Sequence, residues 1–174
     1  KFHGIYDINF ESNILSESKD KTKLMEMLHM ELQSNDIKLN RLYSGQIDGF
    51  TSPIYHNKVD NKGPTVTIME TEYNAICGGY TAISWAKGIV WKDDPKSFIF
   101  QLIPEINIYK PKFDSGKRTI FHSDNDYLIN FGGGDLKIYT KEKRGMCKSL
   151  EFSFPYPKNI VGGNSETREI VFKI

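Results

Sequence analysis

Three consecutive glycines, Gly132-Gly133-Gly134, stand between two strand-like stretches, Leu128 to Phe131 and Leu136 to Thr140. Glycine weakens a strand because it loses more backbone freedom on folding and offers no side chain to pack. A chain that keeps three in a row needs backbone angles other residues resist, or close approach of something to that backbone. A phosphate cradle would have the glycines lead from a strand into a helix, whose first amides face the anion. Here Phe131-Gly132-Gly133-Gly134-Asp135-Leu136 runs on into Lys137-Ile138-Tyr139, a strand, and no Gly-Lys-Ser/Thr follows. Gly116-Lys117-Arg118-Thr119 resembles a phosphate loop only superficially, lacking the upstream glycine at the right spacing. The spacing therefore predicts a sharp bend joining two strands.

The 174 residues suit one domain with a proper core. Hydrophobic residues make up 39%, and 11 Phe and 9 Tyr favour strands over disorder. A net charge of +1 gives no global pull toward nucleic acid or anionic lipid, so any basic patch is local. No apolar run approaches the roughly 18 residues that would suggest a membrane helix. Two cysteines, Cys77 and Cys147, and no Asn-X-Ser/Thr sequon point to a reducing, intracellular setting, cytoplasmic with the nucleus open, and to two thiols or one disulfide. The start at Lys1 reads as cut from something longer, with residues 1–14 an arm or remnant and 15–174 the domain.

Periodicity divides the chain. Leu24, Leu28 and Leu32 recur at helical spacing, with Ser16 or Ser18 as expected cap. Ser52-Pro53 predicts a second, short helix to about Val59, with Ser52 as cap and Pro53 at the first position. Elsewhere a period of two prevails: 37–44, 65–70, 75–84, 97–103, 106–109, 119–122, 128–131, 136–140, 149–154 and 169–174 read as strands. These predict an α+β, mainly β fold: a two-layer antiparallel β-sandwich flanked by two or more short helices at its ends. Loops at 92–95, 109–118 and 155–167 read as exposed, and 141–145 as a basic hairpin tip.

Candidate chemistry is thin. His3, His29, His56 and His122 are isolated and neither cysteine has a Cys-X-X-Cys partner, so zinc spacing is absent. Asp124-Asn125-Asp126 mimics the start of a calcium loop but lacks the ligand and glycine that should follow. His56 and Asp60, four apart, can pair locally, the usual behaviour of a structural histidine. Cys77, ahead of two glycines, reads as a small buried hydrophobe. No catalytic residue, cofactor or metal is expected. Two basic segments, Lys110, Lys112, Lys117 and Arg118 in one and Lys141, Lys143, Arg144 and Lys148 in the other, are the candidate contacts for a partner or for nucleic acid.

The order of several short motifs is more specific than any one of them. Asp48-Gly49-Phe50, then Tyr55-His56, then Asp60-Asn61-Lys62-Gly63-Pro64-Thr65 are followed by Gly78-Gly79-Tyr80 with Trp85. Asp94-Pro95 with Ser97 to Leu102, then Phe131 to Leu136, then Glu169-Ile170-Val171-Phe172 complete the series. In this order the chain resembles the TLDc domain, from Leu15 to Ile174. The resemblance implies an antiparallel β-sandwich in which Asp48, Gly49, Phe50, Gly63, Pro64, Gly78, Gly79, Trp85 and Phe131 to Asp135 are structural. It also implies a non-enzymatic role in resistance to oxidative damage, with the peripheral sector of the vacuolar proton-pumping ATPase as partner. Two positions depart from the pattern: Ile47 where an arginine is frequent, and Val59 where a cysteine is frequent. The alternative that the residues leave open is a DNA-binding regulator of stress genes acting through the two basic segments. A thiol-based antioxidant activity at Cys77 or Cys147 is the third.

Overall fold

The computed structural model describes residues 6–71, 74–112, 118–124, 127–140, 144–147, 154, 165–166 and 168–174, with backbone only for 144–147, 165–166 and 168–173. Helix α1 (Ser18–Leu32) comes first, then β1 (Asn40–Ser44), the single turn α2 (Gly45–Asp48) and α3 (Ser52–Val59). Strands β2 (Thr65–Glu70), β3 (Ile76–Thr81), β4 (Val90–Lys92), β5 (Phe98–Ile103), β6 (Asn107–Tyr109) and β7 (Ile120–His122) follow. The chain continues through β8 (Tyr127–Phe131), β9 (Leu136–Tyr139), β10 (Arg144–Cys147), β11 (Ser165–Glu166) and β12 (Arg168–Lys173).

Among the described residues these strands form two six-stranded sheets, ordered β1-β12-β2-β3-β5-β6 and β11-β10-β9-β8-β7-β4. Every pairing between neighbours is antiparallel. The expected mainly-β sandwich is the fold. β4, β10 and β11 lay outside the predicted strands, and Arg144-Gly145, read as part of a hairpin tip, belong to β10. Of the strand expected at 149–154, residues 149–153 lie outside the described residues and Phe154 is not in a strand; most of the loop at 155–167 also lies outside them.

α1 sits differently from the expectation of helices at the ends. Its buried Leu24, Met25, Met27 and Leu28 share one core with Val66 and Ile68 of β2, Ile76 and Tyr80 of β3, and Phe98, Phe100 and Leu102 of β5. The alternate residues Met69, Cys77 and Ile99 belong to a second core with Ile120, Ile129, Phe131, Leu136 and Ile138 of the other sheet. The first sheet is therefore covered on both faces, by α1 on one and by the second sheet on the other. That explains why β3 is buried at every position rather than at every second one. α3 does close an end of the sandwich, giving Tyr55 and Val59 to the second core. Phe10, Ile14 and Leu15 complete the core under α1.

The caps differ from the sequence reading. Glu17, not a serine, is the N-cap of α1, and it makes no side-chain cap bond. Ser52 is the first helical residue of α3, and its hydroxyl donates to the Asp124 carbonyl rather than capping.

Two glycine sites fix how the sheets meet. A Cβ on Gly79 would lie 2.8 Å from the Phe131 ring and 3.2 Å from Leu136, so the sheets approach here only because no side chain intervenes. The triple glycine and Asp135 make the four-residue hairpin loop whose flanking residues, Phe131 and Leu136, face each other across β8 and β9. All three adopt positive φ: 61° at Gly132, 70° at Gly133 and 120° at Gly134. Gly132 N–H donates at 2.8 Å to the carbonyl of Thr119, just ahead of β7. The fully buried Asp135 carboxylate folds back over Gly132 and accepts the Phe154 N–H at 3.1 Å.

A second buried carboxylate ties the sheets by hydrogen bonds. Asp94, 2% exposed, accepts from Thr81 Oγ1 and Ala82 N, both at 2.7 Å, and from Lys96 N at 3.1 Å. Its own N–H donates to Thr119 Oγ1 at 2.6 Å, so the ends of β3, β5 and β7 share one residue.

Gly79→Val is expected to lower unfolding free energy by about 3 kcal/mol through overpacking. Gly133→Val forces a β-branched residue into the left-handed region and is expected to cost about 2 kcal/mol. Urea denaturation at neutral pH measures both; a loss below 0.5 kcal/mol (about the scatter of surface changes) at either position would contradict this account.

Candidate functional site

The motif residues assemble into scaffolding. Asp48 accepts the Ser44 N–H at 2.9 Å and pairs with Lys58 Nζ at 2.8 Å, joining β1, α2 and α3. Burial alone would raise its carboxyl pKa. The Lys58 ammonium, the Ser44 N–H and the Arg41 charge outweigh that and hold it below the usual value. Tyr43 Oη donates to the Gly49 carbonyl at 2.8 Å, and the Phe50 ring lies against Gly45. Gly63 N–H donates to Ser84 Oγ at 3.0 Å, and the Pro64 carbonyl accepts from Ile174 N–H at 3.1 Å. Trp85 is buried, gives its indole N–H to Thr65 Oγ1 at 3.1 Å and meets Phe131 edge-on with 5.6 Å between ring centres.

The basic segments are not brought together among the described residues. Lys110 is neutralised by Glu31 of α1 at 2.9 Å. Arg118 is exposed and Lys112 half-buried. Arg144 is in β10; Lys117, Lys141, Lys143 and Lys148 lie outside the described residues. Cys77 is buried in the second core, and Cys147 ends β10. Ile47 is exposed on α2 and Val59 is buried at the end of α3.

What the sequence hinted at least is a polar seam along α3. Ser52, His56 and Asp60 recur every four residues and share one helix face. His56 is buried; its Nδ1 faces Asp60 Oδ1 at 2.8 Å and its Nε2 donates to the Ser123 carbonyl at 2.8 Å. Ser52 donates to the next carbonyl, that of Asp124. The expected His56–Asp60 pair is thus present, and the partners at 123 and 124 are the part the sequence could not show, since they come from 67 and 72 residues away. The letters of a Ser-His-Asp triad are here without its geometry. The histidine nitrogen that would take a proton from a nucleophile is spent on a backbone carbonyl.

Beside the seam an open depression of about 460 Å³ is lined by Ser52, Pro53, Lys87, Gly88 and Asp124. Asp124 Oδ1 accepts the Gly88 N–H at 2.5 Å. The residues after two of these walls, Ile54 and Ile89, are exposed. His122 is buried, its ring centre 5.9 Å from that of Trp85, its Nε2 without a hydrogen-bond partner among the described residues. Burial, then the Lys92 charge and, after the opposing Asp60, His56 press its pKa below the ordinary value.

Among the described residues no helix is long and apolar enough to cross a membrane, and no group of three metal-binding side chains gathers. The fold is a mainly β, antiparallel sandwich in which the triple-glycine hairpin, the Asp-Gly-Phe junction and the buried tryptophan hold elements together. The TLDc domain family model matches residues 8–166, and the chain belongs to that family, one related to oxidative stress. No individual curated protein matches it.

His122 and Asp48 act in separate pH windows. A histidine held neutral by the fold contributes stability that is present above its unfolded pKa, about 6.5, and lost as pH falls through the folded value. Asp48 contributes stability present above about 3.9 and lost at lower pH. His122→Phe is expected to flatten unfolding free energy between pH 7 and 5, and Asp48→Asn to flatten only the limb below pH 4. Denaturation curves across pH decide; an unchanged slope from pH 7 to 5 in His122→Phe would refute the first.

Proposed function

We propose that this domain is a non-catalytic interaction module of the oxidative-stress response that docks on the peripheral, ATP-hydrolysing sector of the vacuolar proton pump. Membership of the TLDc family supports the stress-related role. The observation that favours binding over catalysis is the commitment of His56 Nε2 to the Ser123 carbonyl, which engages the imidazole that shares the α3 seam with Ser52 and Asp60. Cys77 favours the same reading. It is 2% exposed inside an apolar core, shielded from peroxide.

Two measurements test the proposal. The tagged chain is expected to co-purify with the isolated peripheral sector and to alter its ATP-driven proton pumping in reconstituted vesicles. Absence of both would remove the pump as partner. The Cys77→Ser, Cys147→Ser double variant is expected to consume peroxide no differently from the parent chain; a clear loss would restore the enzyme reading.

A further inference from the structure

The outer face of the second sheet carries a continuous row of rings that neither core uses. Trp91 of β4 and Phe121 of β7 are register partners with ring centres 4.8 Å apart. Phe121 meets Tyr127 of β8 at 6.5 Å, and Tyr127 meets its register partner Tyr139 of β9 at 5.1 Å. All four are half-buried, and none belongs to either core cluster. Their neighbours Ile120, His122 and Ile138 are the buried residues, so strand alternation turns the rings to the opposite side. At the free edge Ile89, two residues before Trp91, is 79% exposed. β4 pairs only with β7 among the described strands. The first sheet's outer face, by contrast, is occupied by α1.

Among the described residues one ammonium sits on this row. Lys137 holds its ammonium 5.2 Å from the Tyr127 ring centre and 4.8 Å from that of Tyr139. It makes no ion pair with a carboxylate among the described residues. A cation fixed over ring faces keeps its attraction for an anion while the rings hold it in place.

We infer that this face is a protein-docking surface whose occupant is a segment with apolar side chains lying along Trp91, Phe121, Tyr127 and Tyr139 and a carboxylate reaching Lys137. Aromatic rings are the side chains that carry most of the binding energy at protein interfaces, because they bury large area at small entropic cost. Charge separates this occupant from a single-stranded nucleic acid, which would also stack on rings. A nucleic acid needs a track of cations matching its phosphates. Among the described residues these rings carry one ammonium, Lys137 over Tyr127 and Tyr139, on a chain of net charge +1. The edge strand matters as well: its three residues are too short to recruit a long partner strand, so the rings rather than main-chain pairing provide the footing.

The site does not depend on the identity of the partner, so it can be tested with defined probes on the whole chain. The probes are an acetylated, amidated peptide alternating leucine with glutamate, its lysine counterpart, and a 15-nucleotide oligothymidine. Backbone amide shifts locate binding. The glutamate peptide is expected to move the amides of residues 91, 121, 127, 137 and 139 and to bind about tenfold more tightly than the lysine peptide. Lys137→Glu should reverse that preference, and Trp91→Ser or Tyr139→Ser should weaken binding about thirtyfold. Met30→Ser, on α1, should leave it unchanged, and amide spectra of each variant report whether the fold is intact. Shifts confined to another face, equal binding of both peptides, or a lysine-peptide preference would overturn the inference. Tighter binding of the oligothymidine than of the glutamate peptide would overturn it in favour of nucleic acid.

Discussion

The rest of the molecule depends on the contact at which Phe131 and Leu136 press onto the bare backbone of Gly79. Two sheets normally stand about 10 Å apart, with side chains from both filling the gap. Here one sheet contributes nothing at the closest point and the other contributes a ring and a leucine. Trp85 then fits edge-on against the same Phe131, and Phe154 meets it from another side at 6.4 Å. The glycine hairpin has to carry Phe131 and Leu136 to this spot together, which is why its loop is short and its backbone left-handed.

Around that contact the buried polar groups act as fasteners. Asp94 gathers donors from the ends of β3 and the β4–β5 turn while holding Thr119 ahead of β7. Asp135 ties the hairpin to Phe154, and His56 ties α3 to the end of β7. A buried charge without partners would be strongly destabilising, so each of these carboxylates has hydrogen bonds that offset its desolvation. The arrangement leaves chemistry little freedom: the polar side chains that resemble catalytic ones are those most firmly engaged in holding elements together.

Much of this was legible in the sequence, and the gaps have physical causes. The period of two placed most strands, and the Gly-Asp-Leu passage into a strand rejected the phosphate cradle. Ser52-Pro53 announced α3 because proline fixes the first turn whichever residue caps it. β4 escaped because three residues are too few to show a period and Val90 and Lys92 are exposed at the sheet edge. The position of α1 escaped because Phe98-Ile99-Phe100-Gln101-Leu102 reads as a buried strand without saying what buries each face. The anchors of His56 and Ser52 are backbone carbonyls, which any residue supplies, so no letter at 123 or 124 could announce them. The aromatic row was half visible: Leu136-Lys137-Ile138-Tyr139 alternates, but which strand lies beside which is a matter of topology.

The four-residue hairpin loop has a further consequence, for inheritance rather than for stability. Ile138 and Tyr139 lie on opposite sides of the same strand, one in the core and one on the row of rings. Which of them faces inward is decided by where the loop lets Leu136 meet Phe131. A single residue gained or lost there would exchange the two faces along β9, burying a tyrosine and a lysine and turning isoleucine and leucine to solvent. Insertions can accumulate in other loops of this domain at little expense, but at this one a change of length is a change of surface.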